Sequence, residues 1–495
     1  MTSLHYYSTR NEKNVATASK AILSGLAEDG GLFVPESVPS IEVKKLLNMT
    51  YRQRAMAVLS DYLTDFTTEE IEHCVNGAYT VEHFGSETIA PVCVVTNQVS
   101  FLELWHGPTC AFKDMALQIL PYFLTTSMKK QGQDKTVVIL VATSGDTGKA
   151  ALAGFADVEG TRIAVFYPDQ GVSKIQRLQM VTQKGDNVFA SGVKGNFDDV
   201  QAFVKQIFTD KAYREKMNES GFDFSSANSI NWGRLVPQIV YYVHAYCEMV
   251  DKGEIKLGET INVVVPTGNF GNILAAYYAK KAGVPIGKLI CASNQNNILT
   301  DFIRTGVYDK NRDFYVTESP SMDILISSNL ERLLYHLSDE ETVCDLMKHL
   351  SETGKYQVSD TLKHRLQELL WADCCDDEET EQMIAKMYAE NGYVMDPHTA
   401  VGYGVYEKYV TQTGDTAKCV IASTASPFKF NACVSRALGS ETDQISEFQL
   451  LYNLADKTGL ELPVSLKELE QLPVRFDGVV DKDGMYGAVS GFLGI

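Results

Sequence analysis

The stretch Ile261–Asn272, INVVVPTGNFGN, decides how the rest of the chain is read. Its first half is rich in β-branched residues and lacks period-two alternation, as a parallel strand covered on both faces does. The run stops at Pro266, and helical spacing resumes over Ile273–Ala282. The loop between them holds two glycines, which tolerate positive φ and let a ligand approach the backbone closely. Successive N–H groups at the start of a helix form a site for a dianionic phosphate. The loop has neither the GxGxxG spacing of dinucleotide folds nor the lysine of nucleotide-hydrolysing loops. Read alone, it is a phosphate cup without a lysine or, equally, a glycine turn between strand and helix.

The same grammar recurs on either side. Val137–Ala142 stops at TSGDTG, Ile163–Tyr167 at PDQG, Leu289–Ser293 at NQNN and Cys419–Ser423 at TASPFKF. Helical spacing fills Val200–Ile207 and Leu235–Met249 between them, so strand and helix alternate as in an α/β protein with parallel sheets. In such sheets ligands sit beyond the carboxyl ends of the strands, which directs attention to these loops. Residues 1–95 read differently, with helical patterns at Val15–Leu26 and Ile41–Leu63 around the turn DGGLFVPE, and form a mainly helical first domain. Residues 96–430 form a catalytic region of two α/β parts with an acidic, helical insertion near 323–392, and residues 431–495 a helical segment that packs on it. No internal repeat or low-complexity segment is present.

Composition narrows the function. The 495 residues are 45% hydrophobic and 22% charged, which excludes a disordered chain, and the net charge of −19 opposes attraction to nucleic acid or anionic lipid. The ten cysteines are scattered without zinc spacing, as buried thiols in a reducing compartment are, and no metal site is expected. The start MTSLHYYSTRNEKN lacks the apolar core of a signal peptide, and no apolar run reaches the ~18 residues needed to span a bilayer. The expectation is a cytoplasmic protein with a small-molecule substrate.

Four further loops carry chemistry. TSGDTGKA, Thr143–Ala150, fails as a nucleotide loop because threonine stands at the first glycine position and Ala150 follows Lys149. Its small hydroxyls at a helix start still suit a carboxylate or phosphate ester. HGPTCAFKD, His106–Asp114, places Lys113 beside Phe112 and Ala111, which could desolvate the amine; alone, Lys113 reads as a surface lysine. STASPFKF, Ser423–Phe430, offers strand-end hydroxyls that suit a heteroaromatic nitrogen or an N-cap. NSINWGRLVPQ, Asn228–Gln238, offers Ser229 and Arg234, an arginine fork for a phosphate ester or a surface ion pair. His106 and His398 lack a partner at metal or triad spacing and read as hydrogen-bonded structural histidines.

Taken in order, YYSTRN, AILSGLAEDGGLFVPE, HGPTCAFKD, TSGDTG, NFDDVQ, NSINWGR, PTGNFGN, SPSMDI, DPHTAVG and STASPFKF resemble the threonine synthases, pyridoxal-phosphate enzymes of the tryptophan-synthase-like fold (fold type II). The resemblance runs through nearly the whole chain. It implies an α/β fold with parallel-rich sheets, pyridoxal 5′-phosphate bound to Lys113 as a Schiff base, and the cofactor phosphate held by Gly268, Asn269, Phe270, Gly271 and Asn272. It implies that Thr424 faces the pyridine nitrogen, that Ser144, Asp146 and Thr147 lie near the substrate carboxylate, and that Ser229 and Arg234 bind its phosphate. It further implies a monomer. The chain departs from the family pattern at Ser426 and Phe428, which replace His and Ala. Thr424 survives, so the expected pyridine contact survives with it.

The activity implied is conversion of O-phospho-L-homoserine and water to L-threonine and phosphate, with Lys113 as proton shuttle. The alternative is a phospholyase of the same fold, which acts on phosphohomoserine or phosphothreonine and releases a keto acid and ammonia. A non-catalytic scaffold would have no need of Lys113, GNFGN and Thr424 together.

Overall fold

The computed structural model of the chain describes residues 3–143, 145–170 and 172–495, without the side chains of residues 197 and 198. Two parallel-rich sheets organise it. The larger runs in the order Leu370–Cys374, Ile286–Ser293, Ile261–Pro266, Cys419–Ser423, Val99–Glu103 and Val92–Val94, with only the last strand antiparallel to its neighbour. The strand that ends in the glycine loop is therefore central, with Val263 paired to Leu289 on one side and Val420 on the other. All six of its residues are buried, which accounts for its unbroken apolar pattern.

The smaller sheet is parallel throughout, in the order Val479–Val480, Val188–Val193, Thr161–Pro168, Thr136–Ala142 and Phe222–Ser225. The helix Trp232–Asp251 is buried along nearly its whole length, as its apolar character on all sides requires. Asn231 caps it, its side chain accepting the Gly233 N–H at 2.8 Å.

The first ninety-odd residues dock on that helix through a buried cation. Arg54, on the helix Tyr51–Tyr62, pairs with Asp251 at 2.5 Å and Glu248 at 3.0 Å and donates to the Leu46 carbonyl at 3.0 Å. A buried guanidinium so fully partnered is tolerated, and removing one partner would be costly.

Two segments differ from the sequence expectation. Tyr6–Ser8, Asn11–Ala16 and Phe33–Pro35 form a small antiparallel sheet within the helical first segment. The edge strand Asn11–Ala16 is mostly exposed and polar, so it has no hydrophobic period to read. Within the acidic helical stretch, Leu370–Cys374 is the outermost strand of the large sheet, not part of a helix. A five-residue segment between helices is too short for periodicity to tell strand from helix. Among the described residues no helix is long and apolar enough to cross a membrane.

Candidate active site

The loops at the carboxyl ends of the two sheets meet around Lys113. That residue stands just ahead of the short helix Asp114–Leu117, and its loop is tied to the loop after Cys419–Ser423. The Phe112 N–H donates to the Thr424 carbonyl at 2.8 Å, and Ala111 bridges Ala425. Lys113 and Thr424, far apart in sequence, are thereby neighbours. Ser426 fills the N-cap role, accepting the Phe428 N–H, and Phe428 is buried in the core. Among the described residues the Thr424 hydroxyl makes no hydrogen bond to protein, so it is available to a ligand.

The Lys113 amine is largely buried, donates to the Ser321 hydroxyl at 3.1 Å and lies 3.6 Å from Asp146 Oδ2. Burial, with help from the charges of Lys429 and Arg234, pushes its pKa down to about 8, against the opposing pull of Asp146. Such an amine is a nucleophile near neutral pH.

The loop Pro266–Asn272 has the features of an anion cradle. Phe270 adopts φ +65° and leads into the helix Gly271–Lys281, whose start has no side-chain cap. Its first N–H groups are left to a ligand. Gly268 lies where a Cβ would come within 2.6 Å of the Ser321 carbonyl. The Asn272 oxygen accepts hydroxyls from Tyr241 at 2.7 Å and Tyr242 at 2.5 Å, which fixes the amide, and its buried Nδ2 then has no partner among the described residues. A buried donor held in place without an acceptor suits a bound anion.

A second anion position lies at Arg234. This side chain is 4% exposed, donates through Nη1 to the Ala227 carbonyl at 2.9 Å, and leaves Nε buried without a partner. No carboxylate pairs with it among the described residues, and burial lowers its pKa to about 10. Arg54 and Arg332, equally buried, have a partner at every guanidinium nitrogen: Arg332 donates to the Phe33 carbonyl at 2.9 Å, the Ile230 carbonyl at 2.6 Å and Asn329 Oδ1 at 2.5 Å. Ser229 is half-buried next to this segment, and its carbonyl accepts from Asn329 at 3.2 Å.

Thr147 and Asp146 open the helix Asp146–Phe155, while Ser144 lies outside the described residues. The Asp146 carboxylate is already engaged. Gln176 donates to it at 3.0 Å, Ser321 at 3.2 Å, and Lys429 and Lys149 approach at 2.9 and 3.4 Å. Burial alone would raise this carboxyl, yet Lys429, Lys149 and Lys113 together hold it well below the usual range. What the segment leaves for an anion is its backbone N–H groups, not this side chain.

Sequence reasoning missed Ser321, Lys149 and Lys429. Only the folded path of the chain through SPSMDI, the helix Asp146–Phe155 and the segment Pro427–Phe430 brings them to the site, and a lysine's place in the sequence gives no sign of its burial. His398 is hydrogen-bonded as expected, to Asp396, two residues before it, at 2.8 Å and to the Ser321 N–H at 3.1 Å.

Comparison with known proteins gives the family. Residues 95–424 match the family described as pyridoxal-phosphate dependent enzyme, residues 5–79 the threonine synthase N terminus, and residues 399–485 the threonine synthase C-terminal family. The crystal structure of pyridoxal-phosphate-bound threonine synthase from Brucella melitensis superposes with a TM-score of 0.88 at 34% identity, covering 99% of each chain. Threonine synthase of Saccharomyces cerevisiae is 35% identical over 90% of this chain and 91% of its own length. Human threonine synthase-like 1 is 41% identical over 87% of this chain, which spans 59% of that protein's length. Fold and family model thus place the chain among the pyridoxal-phosphate-dependent enzymes of fold type II. Within that class, the chain belongs to the threonine synthase family.

Proposed function

We propose that this chain converts O-phospho-L-homoserine and water to L-threonine and phosphate, with pyridoxal phosphate carried on Lys113. The observation that carries the reading is Arg234. A buried guanidinium whose Nε has no partner among the described residues and which no carboxylate there pairs, separate from the GNFGN cradle, supports a second phosphate site beside the cofactor's own. A dehydratase of free hydroxyl amino acids would have no use for it.

In this reading the unfilled Asn272 donor and the helix-start N–H groups, with Gly268, Asn269, Phe270 and Gly271, hold the cofactor phosphate. The free Thr424 hydroxyl faces the pyridine nitrogen. The cofactor supplies an electron sink for charge developing at the substrate's α and β carbons. Lys113 takes and returns protons from its position between Ser321 and Asp146. Ser229 and Arg234 hold the leaving phosphate, whose departure is eased when its charge is met by a fixed cation. The start of the helix at Asp146 and Thr147, with Ser144, receives the carboxylate. We further propose a monomer acting in the cytoplasm.

The test is product analysis. The purified protein, loaded with pyridoxal phosphate and incubated with O-phospho-L-homoserine, is expected to release threonine and phosphate in equal amounts. A keto acid and ammonia would reveal a phospholyase, and no phosphate release would remove the substrate assignment. Lys113→Ala is expected to abolish both turnover and the visible band of the bound cofactor.

A further inference from the structure

The loop Pro266–Asn272 is gripped by a segment that runs into the helix Leu330–Leu337 and carries three buried polar side chains, Ser327, Asn329 and Arg332. The Ser327 hydroxyl donates to the Gly268 carbonyl at 2.6 Å. Asn329 donates twice to the Asn269 carbonyl, through its backbone N–H at 3.1 Å and through Nδ2 at 3.0 Å. The next carbonyl, that of Phe270, accepts the Leu274 N–H at 3.0 Å as the helix begins. Three successive peptides of the loop are thus held by their oxygens.

The grip is itself fixed. Arg332 Nη1, which can only donate, meets Asn329 Oδ1 at 2.5 Å, and the carbonyls of Asn269 and Ser229, which can only accept, lie on the Nδ2 side, the latter at 3.2 Å. A flipped amide would set oxygen against two carbonyls and nitrogen against a guanidinium, so one orientation alone is satisfied. The Ser327 N–H donates to the Tyr308 hydroxyl at 2.8 Å, which anchors the other end of the segment.

A trans peptide points its carbonyl and the following N–H in opposite directions. Drawing the Gly268 and Asn269 carbonyls toward Ser327 and Asn329 therefore turns the N–H groups of Asn269 and Phe270 away from them, and the helical bond of Phe270 does the same for Gly271. Among the described residues none of these three N–H groups donates to protein, and Asn272 Nδ2, from the same loop, is buried without a partner. A loop with two glycines samples many peptide orientations unless something selects one.

We propose that Ser327 and Asn329 are positioning residues for the cofactor, holding two carbonyls so that the N–H groups of Asn269 and Phe270 face its phosphate. They act through the peptides of the loop, not by contact with the ligand. The inference rests on the reading that this loop holds the cofactor phosphate.

The experiment compares two ligands on the full-length, cofactor-free protein. Pyridoxal phosphate and pyridoxal, which lacks the phosphate, are each titrated at one pH, the visible band gives the two Kd values, and thermal melting controls for folding. Asn329→Ala and Ser327→Ala are each expected to weaken pyridoxal phosphate about three- to tenfold, the scale of one hydrogen bond, and to leave pyridoxal near the parent. Ser327→Thr, which keeps the hydroxyl, is expected to retain the parental preference. A general defect of folding or of Lys113 would weaken both ligands alike. A parental ratio of the two Kd values in both folded alanine variants, or an equal loss for the two ligands, would overturn the inference. If Asn329→Ala does not fold, Ser327→Ala and Ser327→Thr decide it by the same ratio. A parent protein that binds pyridoxal as tightly as pyridoxal phosphate would instead overturn the reading of the loop as the phosphate cradle, and the inference with it.

Discussion

His398 accepts the backbone N–H of Ser321 through Nε2 at 3.1 Å. A backbone N–H can only donate, so Nε2 is unprotonated and the ring proton sits on Nδ1, which donates to Asp396 at 2.8 Å. Ser321 in turn receives the Lys113 amine and donates to Asp146. The histidine therefore sets the position of the hydroxyl that holds the amine, without touching the amine itself.

His398→Ala should leave the Ser321 N–H buried and unpaired, at about 1–3 kcal/mol of stability. We expect kcat/KM to fall about tenfold or more, with partial recovery in His398→Gln, whose side-chain oxygen can accept the same bond. Unchanged kinetics in a folded His398→Ala protein would show that Ser321 is held by other contacts.

Arg234→Met separates function from stability. Loss of the cation should cost about 10²–10³ in kcat/KM, the scale of one charge-stabilising donor. The cofactor-free protein should melt no lower than the parent, because a buried charge without a carboxylate partner has been removed. Inorganic phosphate should raise the melting temperature of the parent more than that of the variant. A variant with parental kcat/KM would remove Arg234 from the substrate site.

The buried Lys113 amine makes the cofactor-free protein pH-sensitive. Its pKa is lowered from 10.5 to about 8, so protonation disfavours the folded state. The penalty, about 3 kcal/mol, is complete below about pH 8 and disappears as pH rises toward 10.5. Lys113→Met should therefore stabilise the cofactor-free protein at pH 7, and this advantage should shrink above pH 8. Denaturant unfolding at several pH values measures it; a variant no more stable than the parent at pH 7 would contradict the burial argument.

Gly268→Ala should weaken cofactor binding. The added Cβ would sit 2.6 Å from the Ser321 carbonyl, a backbone atom that must move. Overpacking of this kind costs about 1–3 kcal/mol. We expect at least a tenfold rise in the cofactor Kd, read by titration of the visible band.

Much of this arrangement was legible in the sequence, for definable reasons. Ile261–Pro266 and Cys419–Ser423 are buried on both faces, so their unbroken apolar runs and abrupt loops mark the sheet and the places where ligands would bind. Leu370–Cys374 was not legible, because five residues between two helices carry no distinguishing period. Asn11–Ala16 has the opposite problem, since an exposed edge strand has no burial to impose a pattern. The unfilled Nε of Arg234 among the described residues and the crowding of Lys149 and Lys429 on Asp146 exist only in three dimensions. A sequence names charged residues and is silent on which of them share a counter-ion.

The place of Cys419–Ser423 in the large sheet bears on how the molecule is made. This strand lies between Ile261–Pro266 and Val99–Glu103, so two strands emerging much earlier from the ribosome must wait for it with their facing edges unpaired. Unpaired edges invite pairing with other chains, and contacts this distant in sequence form slowly. Closing that gap also brings Thr424 to the loop of Lys113. The same late event that seals the sheet brings together the two loops of the candidate site, which stays incomplete until residue 424 has been synthesised.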